Sequence, residues 1–313
     1  MNSQKLLLSV EDGLAVDASS VQPLTGGRAI SKAVRQVLRE VLSRVTICWM
    51  CKLRVADSRE HRIKASLIRF AYGRGPYRHS EAHPTAFSLE KNTSRMVQGP
   101  DSDVLKYPPS LCRRCNGTVS QKADTAYDTF HKWCISHVTQ VDTERKIDFK
   151  KVFGSDFVPH VENLLRYYCK ALGCGLHYAD VLIPHRIAEA ARGGDLPANF
   201  DVHFYLDEFI RSANEVFEPY FEGARVRLSL DTDDGALQYH LRENIDGLVV
   251  YVDFTDRPKD WNCKSQIDSR VSTISLGTSS GTIQPRNQEE WDALVERKQQ
   301  TGVRSKRPRS SSD

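Results

Sequence analysis

The chain has 313 residues, with 44 Lys and Arg against 40 Asp and Glu and a formal net charge of +4. Apolar residues make up 40% of it, and 12 Phe, 11 Tyr and 4 Trp are enough to build the cores of two ordinary domains. No run of residues approaches the ~20 apolar positions that span a bilayer, which excludes a membrane-spanning class. We expect a soluble, intracellular protein with no membrane partner.

The first segment, residues 1–27, is mixed in composition and contains glycine, so we predict that it is loosely ordered. In residues 29–45, apolar positions recur at spacings of three and four. This period predicts an amphipathic helix with a basic outer face, leading into the next motif.

Two CxxC motifs follow, the first formed by Cys48 and Cys51 and the second by Cys112 and Cys115. A lone CxxC is also compatible with a redox dithiol or with two unrelated buried thiols, but two pairs favour one tetrahedral zinc site. Four thiolates leave no open position for water, so the predicted zinc has a structural role.

Glu60 and His61 lie between the two motifs, and Asn116 directly follows the last cysteine. The order CxxC, about nine residues, Glu-His-x-x-x-x-Ser, an insertion and CxxC-Asn resembles the four-cysteine treble-clef branch of the HNH (ββα-metal) endonucleases. This resemblance covers roughly residues 47–133. It implies a zinc knuckle, a hairpin and a helix, hence an α+β module with flanking helices.

The resemblance also implies roles for individual side chains. His61 would be the general base and Glu60 a ligand of a catalytic divalent cation, Mg²⁺ or Mn²⁺. Asn116 would be a second ligand or would orient the hairpin. Asp124, about two helical turns beyond Asn116, is a tentative further ligand in place of the His that members often carry. Lys64 stands where many members have Pro.

About fifty residues separate His61 from the second motif, and they place Arg and Tyr beside Gly and Pro. Such a mix is typical of an insertion that contacts phosphates and stacks on bases, although a decorated loop with a small hairpin fits equally well. Five arginines in and after this insertion are candidates for phosphate contacts: Arg74, Arg78, Arg95, Arg113 and Arg114.

The charge is unevenly distributed. Residues 48–134 hold 15 Lys and Arg against 8 Asp and Glu, whereas residues 135–296 hold 17 against 27. Phosphate backbones bind where positive charge is concentrated, so we expect nucleic acid at the basic half. We therefore predict a basic HNH-like zinc domain at 28–138, which ends in a helix over 116–137.

The acidic half predicts an α+β domain of unknown role at 150–285. We expect helices at 158–172 and 183–192, with Gly173 to Gly175 breaking the chain between them and Gly193-Gly194 ending the second. Alternating apolar residues predict an antiparallel sheet with strands at 225–230, 237–241 and 248–254.

The tail, residues 286–313, is rich in Ser, Arg and Lys and is predicted to be disordered. Such a basic tail can hold nucleic acid by charge. It also matches a nuclear-localisation pattern that occurs often by chance. We expect a cytoplasmic or nucleoid-associated protein, nuclear only if the source is eukaryotic.

The sequence therefore predicts a metal-dependent HNH-like endonuclease that hydrolyses phosphodiester bonds, in DNA before RNA. Double-strand cleavage by one such site would need a homodimer or two successive nicks. Two alternatives remain: a nucleic-acid-binding zinc protein that keeps the HNH scaffold without cleavage, and a zinc-stabilised adaptor for protein partners built around the acidic half.

Overall fold

The computed structural model describes residues 7–8, 46–77, 85–88, 93–213, 221–230, 236–255 and 269–279. The predicted helix over 29–45 and the predicted tail over 286–313 lie outside the described residues. So does most of the first segment, of which Leu7–Leu8 forms a short strand, β1.

The basic half is built from short elements. They are α1 (Ala65–Tyr72), β2 (Thr85–Ser88), β3 (Thr93–Met96), a 3-10 turn (Asp103–Leu105), a π-helical turn (Cys115–Val119) and α2 (Gln121–Ser136). Strands β2 and β3 form an antiparallel hairpin inside the predicted insertion. The helix expected over 116–137 is thus present, but its first turn is wider than an α-helical one.

The acidic half alternates helices and strands. They are α3 (Val138–Glu144), β4 (Lys146–Asp148), α4 (Phe149–Phe153), α5 (Phe157–Tyr178), α6 (His185–Ala191), β5 (Phe200–Asp207), α7 (Glu208–Ala213), β6 (Phe221–Leu230), β7 (Leu237–Ile245), β8 (Leu248–Thr255), β9 (Thr273–Ser275) and β10 (Gly277–Ser279).

Within the described residues, the main sheet has six strands in the order β1-β6-β7-β8-β5-β10. All its pairs are antiparallel except β10, which runs parallel to β5. The predicted antiparallel sheet is therefore confirmed, as is the mixed α+β class. Sequence analysis missed β5, the strand between β8 and β10, although its apolar residues alternate with polar ones.

Helix α5 corrects one prediction, because it continues through the glycines that were expected to break it. It runs unbroken from Phe157 to Tyr178, and a side chain at Gly173 or Gly175 would collide with a neighbour. A Cβ on Gly173 would lie 2.3 Å from the ring of Trp49, and one on Gly175 would lie 2.4 Å from Val226. These glycines allow the knuckle and the sheet to approach the helix, and cost helix propensity in return. The predicted end of α6 is confirmed, since Gly193 follows it at a φ of +101°.

One hydrophobic core includes residues of both halves, from Cys48 and Trp49 to Leu276. Helix α2 packs along α5, and α5 packs against β6 and β7. The predicted domain boundary between 138 and 150 stays a prediction.

Strand β6 contacts the basic half. The Tyr107 hydroxyl donates a 3.0 Å hydrogen bond to the carbonyl oxygen of Ala224, and the register of β6 is shifted between Glu222 and Arg225. The guanidinium carbon of Arg62 lies 4.9 Å from the ring centroid of Tyr107 and 4.2 Å from that of Tyr178. A cation that lies over the faces of two adjoining aromatic rings stabilises this contact.

Candidate metal centre and the residues around it

The four cysteines of the two CxxC motifs converge on one point. Their sulfur atoms all lie within 4.8 Å of one another, and the sulfurs of Cys51 and Cys112 are 3.9 Å apart. Tetrahedral ligation with metal–sulfur bonds of about 2.3 Å requires sulfurs roughly 3.8 Å apart. Cys48, Cys51, Cys112 and Cys115 could therefore hold a metal ion such as zinc.

Local backbone geometry brings each pair together. In the first pair, Lys52 adopts a φ of +55° and its amide donates to the carbonyl oxygen of Cys48, while the amide of Cys48 donates to Arg54. This tight turn aims both sulfurs to one side. In the second pair, the amide of Cys115 faces the sulfur of Cys112 at 3.5 Å, at the start of the π-helical turn.

The thiols differ in their tendency to ionise. Burial raises the pKa of Cys48. In Cys51 burial also raises the pKa, but hydrogen bonds from the backbone of Leu53 and from neighbouring groups outweigh it and lower the pKa to about 7. A thiol that ionises near neutral pH is a ready first ligand for a metal, because the thiolate is the form that binds.

Glu60, the predicted acidic ligand, is buried against a lysine from the other half of the chain. Its side chain is 8% exposed, and Oε2 lies 2.8 Å from the Nζ of Lys170, which is 1% exposed on α5. A buried carboxylate of this kind needs a charged partner, because an unpaired charge in the interior costs several kcal/mol.

Asp124, the tentative further ligand, meets the same ammonium group. Both its carboxylate oxygens lie 3.1 Å from Nζ of Lys170, and the hydroxyl of Ser120 accepts from that nitrogen at 3.1 Å. The carboxylate also forms an ion pair with Lys64, the residue that stands in place of Pro. Burial raises the pKa of Asp124, but the opposing effect of Lys170 and Lys64 is larger. The net shift of the pKa is therefore downward, and the carboxyl stays ionised.

The two carboxylates thus share one positively charged partner, the ammonium of Lys170. Burial lowers the pKa of its ammonium, but Glu60 and Asp124 raise it more, so the net shift is upward and the group stays charged. A divalent ion at this point would lie within contact distance of a fixed positive charge. The residues present therefore do not fit the predicted catalytic ion.

His61, the predicted general base, lies beside this network rather than in it. Its Nε2 atom lies 3.5 Å from Oδ1 of Asp101. Burial lowers the pKa of the imidazole, against the opposing effect of Glu60. A cavity of about 10 Å³, the size of one water, is lined by Glu60, His61 and Lys170 among others. A cavity of this size is too small to enclose a nucleotide.

Asn116 ties the second motif to the strand-like segment before Glu60. Its side-chain amide donates to the hydroxyl of Ser58 at 2.9 Å and to the carbonyl oxygen of Arg59 at 3.2 Å. This arrangement matches an orienting contact. The structure does not bring Asn116 to the point where Glu60 and Asp124 meet.

The predicted phosphate-contacting arginines are exposed where they are described: Arg74, Arg95, Arg113 and Arg114. Arg78 lies outside the described residues. Arg113 is partly neutralised, because its amide and its guanidinium both face the carboxylate of Asp57. The nucleic-acid-binding role of this set stays a prediction.

Sequence analysis missed Lys170 and Asp101. Lys170 stands in an apolar run on α5, between Cys169 and Ala171. A lone charge on the buried face of a helix is a signal of an internal ion pair. Asp101 carried no comparable signal, because its partners come together only in the folded chain.

A scan of protein-family models, a search of curated proteins and a search of solved structures find no match for this chain. Across the part that the structure describes, no helix combines the length and the apolar character needed to cross a membrane. The class of the protein therefore has to be argued from the site itself.

Proposed function

We propose that this chain is a zinc-stabilised nucleic-acid-binding protein, in which an HNH-like module holds a phosphate backbone without cleaving it. The observation that carries the proposal is the buried ammonium of Lys170 between the carboxylates of Glu60 and Asp124. Cleavage by a one-metal mechanism needs a divalent ion to stabilise the leaving oxygen, and here a lysine supplies the positive charge internally.

Zinc is the metal that the cysteine cluster favours. Four soft thiolates in a tetrahedral arrangement select zinc over hard cations such as Mg²⁺ and Ca²⁺. All four ligand positions would be taken by sulfur, so the ion would stabilise the knuckle and would bind neither water nor substrate. Our proposal includes the treble-clef architecture that was predicted for this zinc site.

Nucleic acid is the partner that the charge around the cysteines favours. Five exposed cations lie within or just after the two CxxC motifs: Lys52, Arg54, Arg113, Arg114 and Lys122. Among the described residues, Arg113 pairs with Asp57, and the other four have no acidic partner. Exposed cations that are not neutralised attract a phosphate backbone and release its counterions, which makes binding salt-dependent.

Divalent-ion-dependent cleavage, the function predicted from the resemblance, remains a second candidate. The observation in its favour is that Glu60 and Asp124 do meet at one cation, with His61 next in sequence to Glu60. If Lys170 withdrew, the two carboxylates would present hard oxygen ligands of the kind that Mg²⁺ and Mn²⁺ prefer.

The binding proposal is tested by fluorescence anisotropy with labelled single-stranded and duplex DNA and with RNA of the same sequence. The double variant Arg54→Ser and Arg114→Ser should weaken binding and lower the salt slope by about two, roughly one for each lost phosphate contact. The matched control, Arg186→Ser and Arg192→Ser, removes two exposed charges at α6 and should leave the affinity unchanged. Equal affinities for both double variants would contradict the proposal.

A further inference from the structure

The carboxylate of Asp101 lies over three nitrogen atoms that carry or can carry positive charge. Its Oδ1 is 3.5 Å from Nε2 of His61 and 3.9 Å from Nζ of Lys106, and its Oδ2 is 3.6 Å from Nη1 of Arg69. We refer to His61, Arg69 and Lys106 as the three-nitrogen cluster. Three such groups around one carboxylate form an anion site.

The surrounding fold holds the three-nitrogen cluster more firmly than it holds the side chain of Asp101. His61 and Lys106 face each other in an antiparallel bridge, and Arg69 belongs to the last turn of α1. The side chains of His61 and Lys106 are each 19% exposed and that of Arg69 is 44% exposed, whereas that of Asp101 is 70% exposed. The site therefore belongs to the body of the basic half, and Asp101 covers it from the solvent side.

The contacts of Asp101 are too long to satisfy the cluster. Charge-assisted hydrogen bonds are about 2.7–2.9 Å long, and all three distances here exceed that range. The Nε2 atom of His61 is buried and makes no hydrogen bond with any described residue. A carboxylate offers only two oxygens, and it does not reach hydrogen-bond distance of any of the three nitrogens. A larger tetrahedral anion with more acceptor oxygens fits the same three donors better.

We propose that the three-nitrogen cluster is a binding site for a backbone phosphate of nucleic acid, and that Asp101 occupies it as an internal competitor. This inference rests on the proposed function, whose ligand it locates on the protein. A phosphate displaces the exposed carboxylate and gains contacts from Arg69 and Lys106. The carboxylate of Asp101 lowers the affinity of the cluster for any anion that cannot displace it.

The surface next to Asp101 supports a chain-like ligand. An open cavity of about 610 Å³ is lined by Arg95, Met96, Gln98 and residues 101–104. Arg95 is exposed there and has no acidic partner among the residues described. Nucleic acid that places one phosphate on the cluster can continue into this cavity toward Arg95.

Removal of the competing charge tests the inference. Asp101→Asn should bind a labelled 20-nucleotide strand or duplex about three- to tenfold more tightly than the wild type at low salt, because one repulsive charge is lost close to the phosphate. Asp195→Asn is the matched control. It makes the same charge change at an exposed carboxylate in the loop after α6, outside the proposed binding surface. It should alter the affinity by less than twofold.

Removing one donor of the three-nitrogen cluster should lower the affinity for nucleic acid. Arg69→Gln should weaken binding and reduce the dependence of log K on log salt by about one unit, as expected for one lost phosphate contact. If the wild type, Asp101→Asn and Arg69→Gln bind nucleic acid equally, the phosphate site is wrong while the proposed function stands.

A second measurement separates failure of the site from failure of the function. If neither the wild type nor Asp101→Asn binds nucleic acid, the proposed function is wrong. Inorganic phosphate is then titrated into Asp101→Asn, with the His61 imidazole followed by NMR and assigned by its loss in His61→Gln. A saturable shift would keep the anion site but overturn nucleic acid as its ligand. An unchanged resonance would overturn the site itself.

Discussion

The ammonium of Lys170 lies 2.8 Å from the carboxylate of Glu60, although 110 positions separate the two residues in the chain. This contact joins the segment between the two CxxC motifs to the central helix α5. Asp124 on α2 completes the arrangement from a third element. The same ammonium thus holds the basic half against α5 and occupies the point where a catalytic ion would have to bind.

Lys170→Met should destabilise the protein by about 3–5 kcal/mol, because it leaves two carboxylates without their shared partner in the interior. The matched control is Lys132→Met on α2, where the lysine is 37% exposed and its partner Asp128 lies one turn away. That change should cost about 0.5 kcal/mol or less. The midpoint of urea unfolding measures both variants, and equal midpoints would mean that the Lys170 network is not a buried ion-pair network.

Cys115→Ser should reduce the zinc content from one ion per chain to none and unfold the knuckle, because metal binding and local folding are coupled. Cys134→Ser is the control, since Cys134 is buried in the core outside the four-cysteine cluster. It should lose some stability but retain the ion. Elemental analysis of the purified proteins measures the zinc, and a full zinc content in Cys115→Ser would remove the assignment of this ligand.

Gly173→Ala should destabilise the protein by about 1–3 kcal/mol through overpacking, even though alanine favours a helix over glycine. The added methyl group would meet the ring of Trp49 at 2.3 Å. Gly117→Ala makes the same change at a position where no described residue outside its own turn comes within 4 Å of the new Cβ, and it should cost nothing. A stabilised Gly173→Ala, seen as a higher midpoint of thermal unfolding, would mean that the knuckle does not pack on α5 at this position.

Tyr107→Phe should cost about 0.5–1.5 kcal/mol, because it removes the hydrogen bond to Ala224 on strand β6. Tyr178→Phe keeps the second ring over Arg62 and removes a hydroxyl from a half-exposed side chain. It should have little effect. Denaturant unfolding of the two variants checks the difference, and an equal loss in both would mean that the hydrogen bond to Ala224 adds no stability of its own.

Local patterns allowed part of this fold and site to be predicted from the sequence. The CxxC spacing fixes how two sulfurs approach one point, so the four-cysteine cluster could be predicted, and the strands β6 to β8 could be predicted from the alternation of apolar residues. Strand β5 carries the same signal, since Val202 and Phe204 alternate with polar residues, and it was overlooked.

Long-range packing explains the predictions that did not hold. The glycines of α5 look like helix breakers when only neighbours in sequence are considered, but they are required by the approach of Trp49 and Val226. The side chains predicted to hold a catalytic ion did converge in part, on Lys170. No local rule relates Glu60 to a lysine so far along the chain.

The most direct test of the central claim is incubation of the zinc-loaded protein with supercoiled plasmid in Mg²⁺, Mn²⁺ or EDTA, followed by electrophoresis before and after removal of the protein. We expect the plasmid to be retarded in Mg²⁺ and in Mn²⁺, and to remain fully supercoiled in all three conditions once the protein is removed. Nicking that requires a divalent ion and disappears in His61→Ala would contradict binding without cleavage and establish the nuclease.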